Sequence, residues 1–205
     1  MRKNQIIAVI LIVILAGVSY FAVTTLAPEI SEVNDIALIE SADCLTNDDG
    51  ACLQLPIITG TTINTDSVTF PDTFQTEYHL VVMPFDREQQ ILAASWLPVF
   101  QEITLENPNF EYWSIAALPD LNAAVRALVI GGTSVGVQDD TVRSQIALLF
   151  LDNQQAVLDA LNVTDIEQIQ IFIMDSAGAV YYRDVGDYTE ARADALREVV
   201  NKLAP

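Results

Sequence analysis

Histidine is almost missing from this chain of 205 residues: His79 is the only one. A metal centre built from several histidines therefore cannot form. Basic residues are scarce too, nine lysines and arginines against 28 aspartates and glutamates, a formal charge of −19. Setting Arg2 and Lys3 aside leaves the part beyond residue 28 near −21. Such a surface repels phosphate, and the basic clusters that counterion release requires are absent. Nucleic acid and anionic lipid headgroups are poor partners on that ground, while the charge itself favours solubility. No repeat and no low-complexity tract occurs. Ser114 and Ser134 lack the turn context of a hydrolase nucleophile.

Cysteine is also scarce, two residues, Cys44 and Cys52. In an oxidising compartment they close a small loop around residues 45–51. Closing so short a loop stabilises it by about 2–3 kcal/mol on the chain-entropy account. A working redox pair is the alternative. The acidic tip Asn47-Asp48-Asp49-Gly50 is a turn and not a calcium loop. With Gly50 as the sixth loop residue, Pro56 would stand where a carboxylate is required.

Long apolar runs are rare as well, with one exception at the start. Residues 6–23 are interrupted only by Gly17 and Ser19, and Arg2 and Lys3 stand before them. Eighteen residues at about 1.5 Å each span about 27 Å, close to a bilayer core. The basic pair should remain cytoplasmic and the rest should lie outside. A cleaved signal peptide is the alternative, but its apolar core runs only about 7–15 residues. Its small-residue cleavage site is also hard to place. Thr25 and Ala27 are followed by Pro28, and Ala22 has Tyr20 two positions upstream. The expected division is a cytoplasmic tip at 1–5, a membrane-spanning signal anchor at 6–27, an acidic stalk with the cysteine loop at 28–55, and a folded domain at 56–205.

Within that domain, helical and strand patterns alternate. Residues 61–63 and 67–70 read as a small hairpin ended by Pro71. Residues 78–85, with Val81, Val82 and Phe85, suit a strand buried on both faces. Asp86 and Gln89 form a capping box, and Ile91, Leu92, Trp96, Val99, Phe100 and Ile103 recur at helical spacing. Pro98 should kink or divide that helix. Residues 110–118 are a second strand, and Leu121, Val125, Leu128 and Val129 mark a short helix ended by Gly131-Gly132. The loop 131–140 follows a helix, carries no lysine and ends in Asp139-Asp140, so it is no phosphate cradle. Residues 146–151 are a third strand, with Val157, Leu158 and Leu161 on a helix beside it. Residues 169–174 and 180–183 flank an Asp175-Ser176-Ala177-Gly178 turn. Asp187 with Glu190, or Thr189 alone, caps a last helix facing inward through Leu196, Val199, Val200 and Leu203. This is an α/β fold with a mixed sheet and helices on both faces. No sequence motif calls for a cofactor. His79 lies in a strand, where a structural role is expected. Trp96 packs helix on sheet and Trp113 belongs to the sheet, with an aromatic contact surface as the alternative.

Residues 80–85, Leu80-Val81-Val82-Met83-Pro84-Phe85, Pro98 in the following helix, and the closing 172–186 segment with Asp175, Gly178 and Gly186 resemble the thioredoxin-like superfamily. The likeness is to its peroxiredoxin and membrane-tethered thiol–disulfide oxidoreductase branch. That resemblance implies a cysteine at the start of the first helix, where the helix dipole lowers thiol pKa. Here Asp86-Arg87-Glu88-Gln89-Gln90 stands instead. The family's cis-proline before the fourth strand is likewise replaced, by Gln168-Ile169-Gln170. Over Phe85-x-Arg87-x-x-Gln90 and Trp96 the chain is also similar to the thioredoxin-like ATP synthase assembly factor family. The resemblance implies a domain that binds or helps assemble a protein partner in the cell envelope, without dithiol chemistry. The implied contact edge is Phe85, Asp86, Arg87 and Gln90 with Gln168 and Ile169 of the facing loop. Dithiol exchange by Cys44 and Cys52 is the competing expectation.

Overall fold

The computed structural model describes residues 43–204. The expected anchor at 6–27, and most of the expected stalk, lie outside the described residues. Among those described, no helix is long and apolar enough to cross a membrane.

Seven strands form one sheet: β1 Ile58–Thr62, β2 Ser67–Phe70, β3 Tyr78–Met83, β4 Phe110–Pro119, β5 Ile146–Leu151, β6 Gln170–Asp175 and β7 Val180–Val185. Their order across the sheet is β2-β1-β5-β4-β3-β6-β7. β3, β4 and β5 run parallel, and β6 and β7 add as an antiparallel hairpin beyond β3. The first hairpin adds antiparallel at the other side through β1 and β5. The parallel trio needs crossovers, and these carry α1 Gln89–Ala94 and α2 Leu97–Glu106 between β3 and β4, then α3 Ala123–Gly136 and α4 Asp140–Ser144 between β4 and β5. α5 Gln154–Ala160 joins β5 to β6, and α6 Glu190–Leu203 closes the domain.

Strand alternation sorts these helices onto two faces. Leu80 and Val82 of β3 point to α1, α2 and α6, meeting Ala93, Trp96, Val99, Phe100, Leu196 and Val199. Val81 and Met83 point the other way, to Val157 and Leu158 of α5 and Leu161 just after it. Ala116 and Leu118 of β4 share the first face and carry α3 through Val129 and Ile130. Trp96 and Trp113 are both buried, so neither belongs to an aromatic contact surface. Truncating a buried tryptophan such as Trp96 costs about 3–5 kcal/mol.

Several local expectations need correction. The helix expected from Asp86 onward is divided, and its break falls at Ser95 and Trp96, with Pro98 in the first turn of α2. A proline fits there because first-turn N–H groups have no partner in the helix. The break rotates the face of α1, so Ala93 is buried while Ile91 is 78% exposed. The glycines at 131 and 132 do not end α3, which continues to Gly136. A glycine cap needs left-handed backbone, and neither residue adopts it. Packing of Val129, Ile130 and Val137 on Ile63 and Leu148 carries the helix onward, overriding weak propensity. Val125 and Leu128, expected inside, face out. Asp139 accepts the N–H groups of Thr141 and Val142 and so caps α4. Thr189 caps α6, accepting from the Arg192 N–H.

The end of the expected stalk is part of the folded unit. Leu53 and Leu55 are buried in the core. The Leu55 N–H donates to Gly178 O at 2.8 Å, and the Val180 N–H to Leu53 O at 2.9 Å. Two apolar side chains and an unpaired backbone edge outweigh the polar composition that marks this segment as linker.

Glycine has opposite value at two places. A Cβ at Gly60 would stand 2.8 Å from Leu148 O on the neighbouring strand, whereas one at Gly132 would meet nothing within 4 Å. Gly132→Ala should therefore raise the unfolding free energy by about 0.5–1 kcal/mol in urea titration. Gly60→Ala should lower it by about 1–3 kcal/mol as β1 is pushed off β5.

Candidate functional site

The sequence places the candidate site where β3 gives way to α1. Pro84 O accepts the Ala117 N–H at 2.9 Å, so the chain leaves the sheet still pinned to β4. Asp86 Oδ1 then accepts the Gln89 N–H at 2.8 Å. Gln89 turns its Oε1 back to the Phe85 N–H at 2.8 Å and donates Nε2 to Ile166 O at 2.7 Å. With 4% of its surface exposed, Gln89 is effectively a buried bracket. It joins the end of β3, the start of α1 and the loop preceding β6.

The six residues expected at the contact edge separate into two groups. Asp86, Arg87 and Gln168 are exposed and Gln90 is half-buried, while Phe85 and Ile169 are buried. Phe85 packs in the core on the α5 side. Ile169 packs on the opposite face, and its carbonyl accepts the Gly186 N–H at 2.9 Å. These two pack inside the domain, and the other four make up the accessible part of the edge. Gln168 Nε2 donates to Asp165 Oδ2 at 3.3 Å. Gln90 faces α3, where its Oε1 accepts from Thr133 Oγ1 at 3.2 Å. Arg87 has no carboxylate partner among the described residues, while Arg126, Arg192 and Arg197 each do.

Sequence reasoning missed the apolar members of this edge. Ile91 is 78% exposed, and Leu92 and Ile166 are 37% and 40% exposed. Periodicity assigned Ile91 and Leu92 to the core. No signal in the sequence singled out Ile166, which lies in a loop. The capping box expected of Asp86 and Gln89 is displaced, because the cap position of α1 is Glu88 and the Gln89 side chain takes the Phe85 N–H in place of the Asp86 N–H; its bond to Ile166 O depends on the fold.

No cysteine lies here. Cys44 and Cys52 are bonded to each other, with Cα atoms 5.6 Å apart, within the usual disulfide range. The Leu45 N–H donates to Val180 O at 2.7 Å and Thr46 pairs with Cys52, which fixes the loop beside the β6–β7 turn. Register places Asp175, at the start of that turn, against Tyr78, and Gln170 against Met83. The disulfide therefore sits at the Tyr78 end of β3, and Asp86 lies beyond the other end, about 17 Å away along the strand alone. Asn47 Oδ1 accepts the Asp49 and Ala51 N–H groups and Gly50 takes a positive φ, so the acidic tip is a turn.

His79 also lies at the Tyr78 end. Its Nε2 is 2.9 Å from Glu111 Oε1 and 3.2 Å from Thr76 Oγ1, and its ring stacks on Phe74 at 3.9 Å. Glu111 also accepts from the Gln75 N–H and Trp113 Nε1. Burial pushes the Glu111 carboxyl up, but the bonds from His79, Gln75 and Trp113 outweigh it and hold it below its ordinary 4.5. This cluster ties β3 to β4 and is remote from Asp86.

No protein-family model matches the chain, and no curated protein matches its sequence. Solved structures do match. A member of the Sco family of cytochrome c oxidase assembly proteins, in which a disulfide switch was identified, aligns at 13% identity over 80% of this chain and 97% of its own, with a TM-score of 0.53. The thioredoxin domain of a thiol-disulfide oxidoreductase from Bacteroides vulgatus aligns at 20% identity over 76% of this chain and 99% of that one, TM-score 0.48. The exposed lipoprotein thioredoxin of Streptococcus pneumoniae aligns at 12% identity over 72% and 100%, TM-score 0.49. The first of these likenesses shows the fold, which is thioredoxin-like, and at that identity nothing beyond the fold.

Two outcomes test the geometry. Gln89→Leu leaves the Phe85 N–H and the Ile166 carbonyl without their partner and should cost about 2–4 kcal/mol in urea unfolding, with faster amide exchange around residue 166. Folding favours the charged form of Glu111. Its contribution to stability is therefore present above its ordinary value of 4.5 and is lost as pH falls through the lowered folded value. Unfolding followed from neutral pH downward should show wild type losing more stability than Glu111→Gln below pH 4.5.

Proposed function

We propose that this protein is a membrane-tethered thioredoxin-like domain that binds another protein of the cell envelope and carries out no dithiol exchange at the start of α1. The observation that carries the proposal is the hydrogen bonding of Asp86 and Gln89. In a redox thioredoxin-like site, helix-start N–H groups and the dipole stabilise a thiolate. Here the Asp86 carboxylate takes the Gln89 N–H at 2.8 Å, and Gln89 takes the Phe85 N–H. The charge that such a site accommodates is already a fixed carboxylate. Around it stand Arg87 without a carboxylate partner and exposed Ile91, Leu92 and Ile166, a mixture of arginine and apolar side chains of the kind that interfaces use. The apolar run at 6–23 behind Arg2 and Lys3 supports the tether. Assembly is the role stated for the Sco-family structure of the same fold, and it is proposed for this chain on the site alone.

Dithiol chemistry by Cys44 and Cys52 has one observation in its favour: the two are bonded, and Cys52 is exposed. The two functions give opposite results. Full-length protein should not accelerate dithiothreitol-driven reduction of insulin, and Cys44→Ser should leave that background unchanged. Cys44-dependent reduction would establish the oxidoreductase. A photo-crosslinking amino acid at position 87 or 91 should capture one protein in native membranes, and the same group at position 198, exposed on α6, should not. Equal capture at all three positions, or none, overturns the proposed contact edge.

A further inference from the structure

A groove of about 680 Å³ opens where the β1–β2 turn, α3 and α4 meet, within the range of small-ligand sites, about 300–1,000 Å³. Helical spacing puts Ala127, Ile130, Gly131 and Ser134 on one face of α3, and that face forms one wall. Asn64 and Thr65 form the second wall, and Asp140 and Arg143 of α4 the third. The walls are tied to one another. Ser134 Oγ lies 3.1 Å from Ile63 O, and Asn64 Nδ2 donates to Asp140 O at 3.4 Å. Arg143 Nε donates to Asn64 Oδ1 at 2.8 Å, which fixes the guanidinium against the second wall.

Two features set this groove apart from ordinary surface. Thr65 is held at φ 70°, in the left-handed region, which a β-branched residue occupies only at a cost of about 1–3 kcal/mol. Asp140 and Arg143 stand three residues apart on α4, the spacing of a helical ion pair, yet they do not pair. The terminal nitrogens of Arg143 and the carboxylate of Asp140 have no partner among the described residues. Arg126, Arg192 and Arg197, by contrast, each engage a carboxylate.

We propose that this groove binds a small zwitterion with an apolar body, an apolar α-amino acid or a short peptide of such residues. Its carboxylate pairs with the Arg143 guanidinium, its ammonium with the Asp140 carboxylate, and its side chain lies along Ala127 and Ile130. Charge selects this class. A plain anion meets Asp140 and a chain of net charge −19, and a plain cation meets Arg143. A molecule carrying both charges leaves neither wall group unpaired. The site does not depend on the contact edge at Asp86.

Leucine tests the class against two relatives that each lack one charge, 4-methylpentanoate and leucinamide. With full-length protein in detergent at neutral pH, leucine should shift the amide resonances of Thr65, Gly131 and Arg143 saturably. It should bind at least about fivefold tighter than either relative. Arg143→Gln should erase the preference over leucinamide, and Asp140→Asn the preference over 4-methylpentanoate. A Cβ at Gly131 would meet nothing within 4 Å, so Gly131→Leu narrows the groove without a clash. That variant should weaken leucine about tenfold or more with circular dichroism unchanged, and it keeps the test decisive where Arg143→Gln loosens α4. Leucyl-leucine distinguishes the two sources: tighter binding than leucine assigns the groove to peptides, equal or weaker binding to the free amino acid. No saturation by leucine or leucyl-leucine up to about 10 mM, equal binding of leucine and both relatives, or wild-type binding by Gly131→Leu overturns the proposal.

Discussion

The whole arrangement depends on β3 being apolar on both faces. Leu80 and Val82 must be covered from one side and Val81 and Met83 from the other, and all four are buried. A single helical layer cannot satisfy that requirement, so α1, α2 and α6 close one face and α5 the other. β3 also takes β4 in parallel and β6 in antiparallel pairing. Parallel pairing demands a crossover helix, and that helix must start where β3 ends. The position of Asp86, at the opening of α1 and beside the loop before β6, follows from that constraint.

What the constraint delivers at this position is a place for negative charge. Helix-start N–H groups and the proximity of a second loop exist whatever residue occupies the turn. In this chain the occupant is a carboxylate, and Gln89 fastens the surrounding backbone with two further bonds. The result is a hydrogen-bonded, thiol-free edge with a cation and three apolar side chains at its rim. The disulfide performs a separate task at the opposite end of β3, where it closes a loop that pairs with the β6–β7 turn. His79, Glu111 and Trp113 reinforce that same end by joining β3 to β4. Disulfide and histidine cluster both lie at the Tyr78 end of β3, and the proposed contact edge lies at the other.

Much of the fold was legible from pattern. All seven strands and the major helices lie near the places that alternation, helical spacing and capping residues mark, because those patterns record which faces are buried. The errors share a cause. Ile91, Val125 and Leu128 are apolar and periodic, so they read as core, yet they are exposed. Gly131-Gly132 reads as a helix end, yet α3 runs through it. Leu53 and Leu55 read as linker, yet they are core. Local pattern says that a residue is apolar or flexible. It does not say whether a neighbour is available to cover or carry it.

The sequence by itself determined the chemistry available: one histidine, two cysteines far in the chain from Asp86, an acidic chain, and an acid with amides where a thioredoxin-like site would hold sulfur. It also determined the alternation of strands and helices, since side-chain period follows directly from residue order. Only the tertiary structure decided which residues meet. That Gln89 reaches across 77 positions to Ile166, that the disulfide lies at the far end of β3 from Asp86, and that no other described residue covers Leu128 and Val135 of α3 are all matters of long-range packing. They follow from how strands stack and where helices cross, which no local window of residues contains.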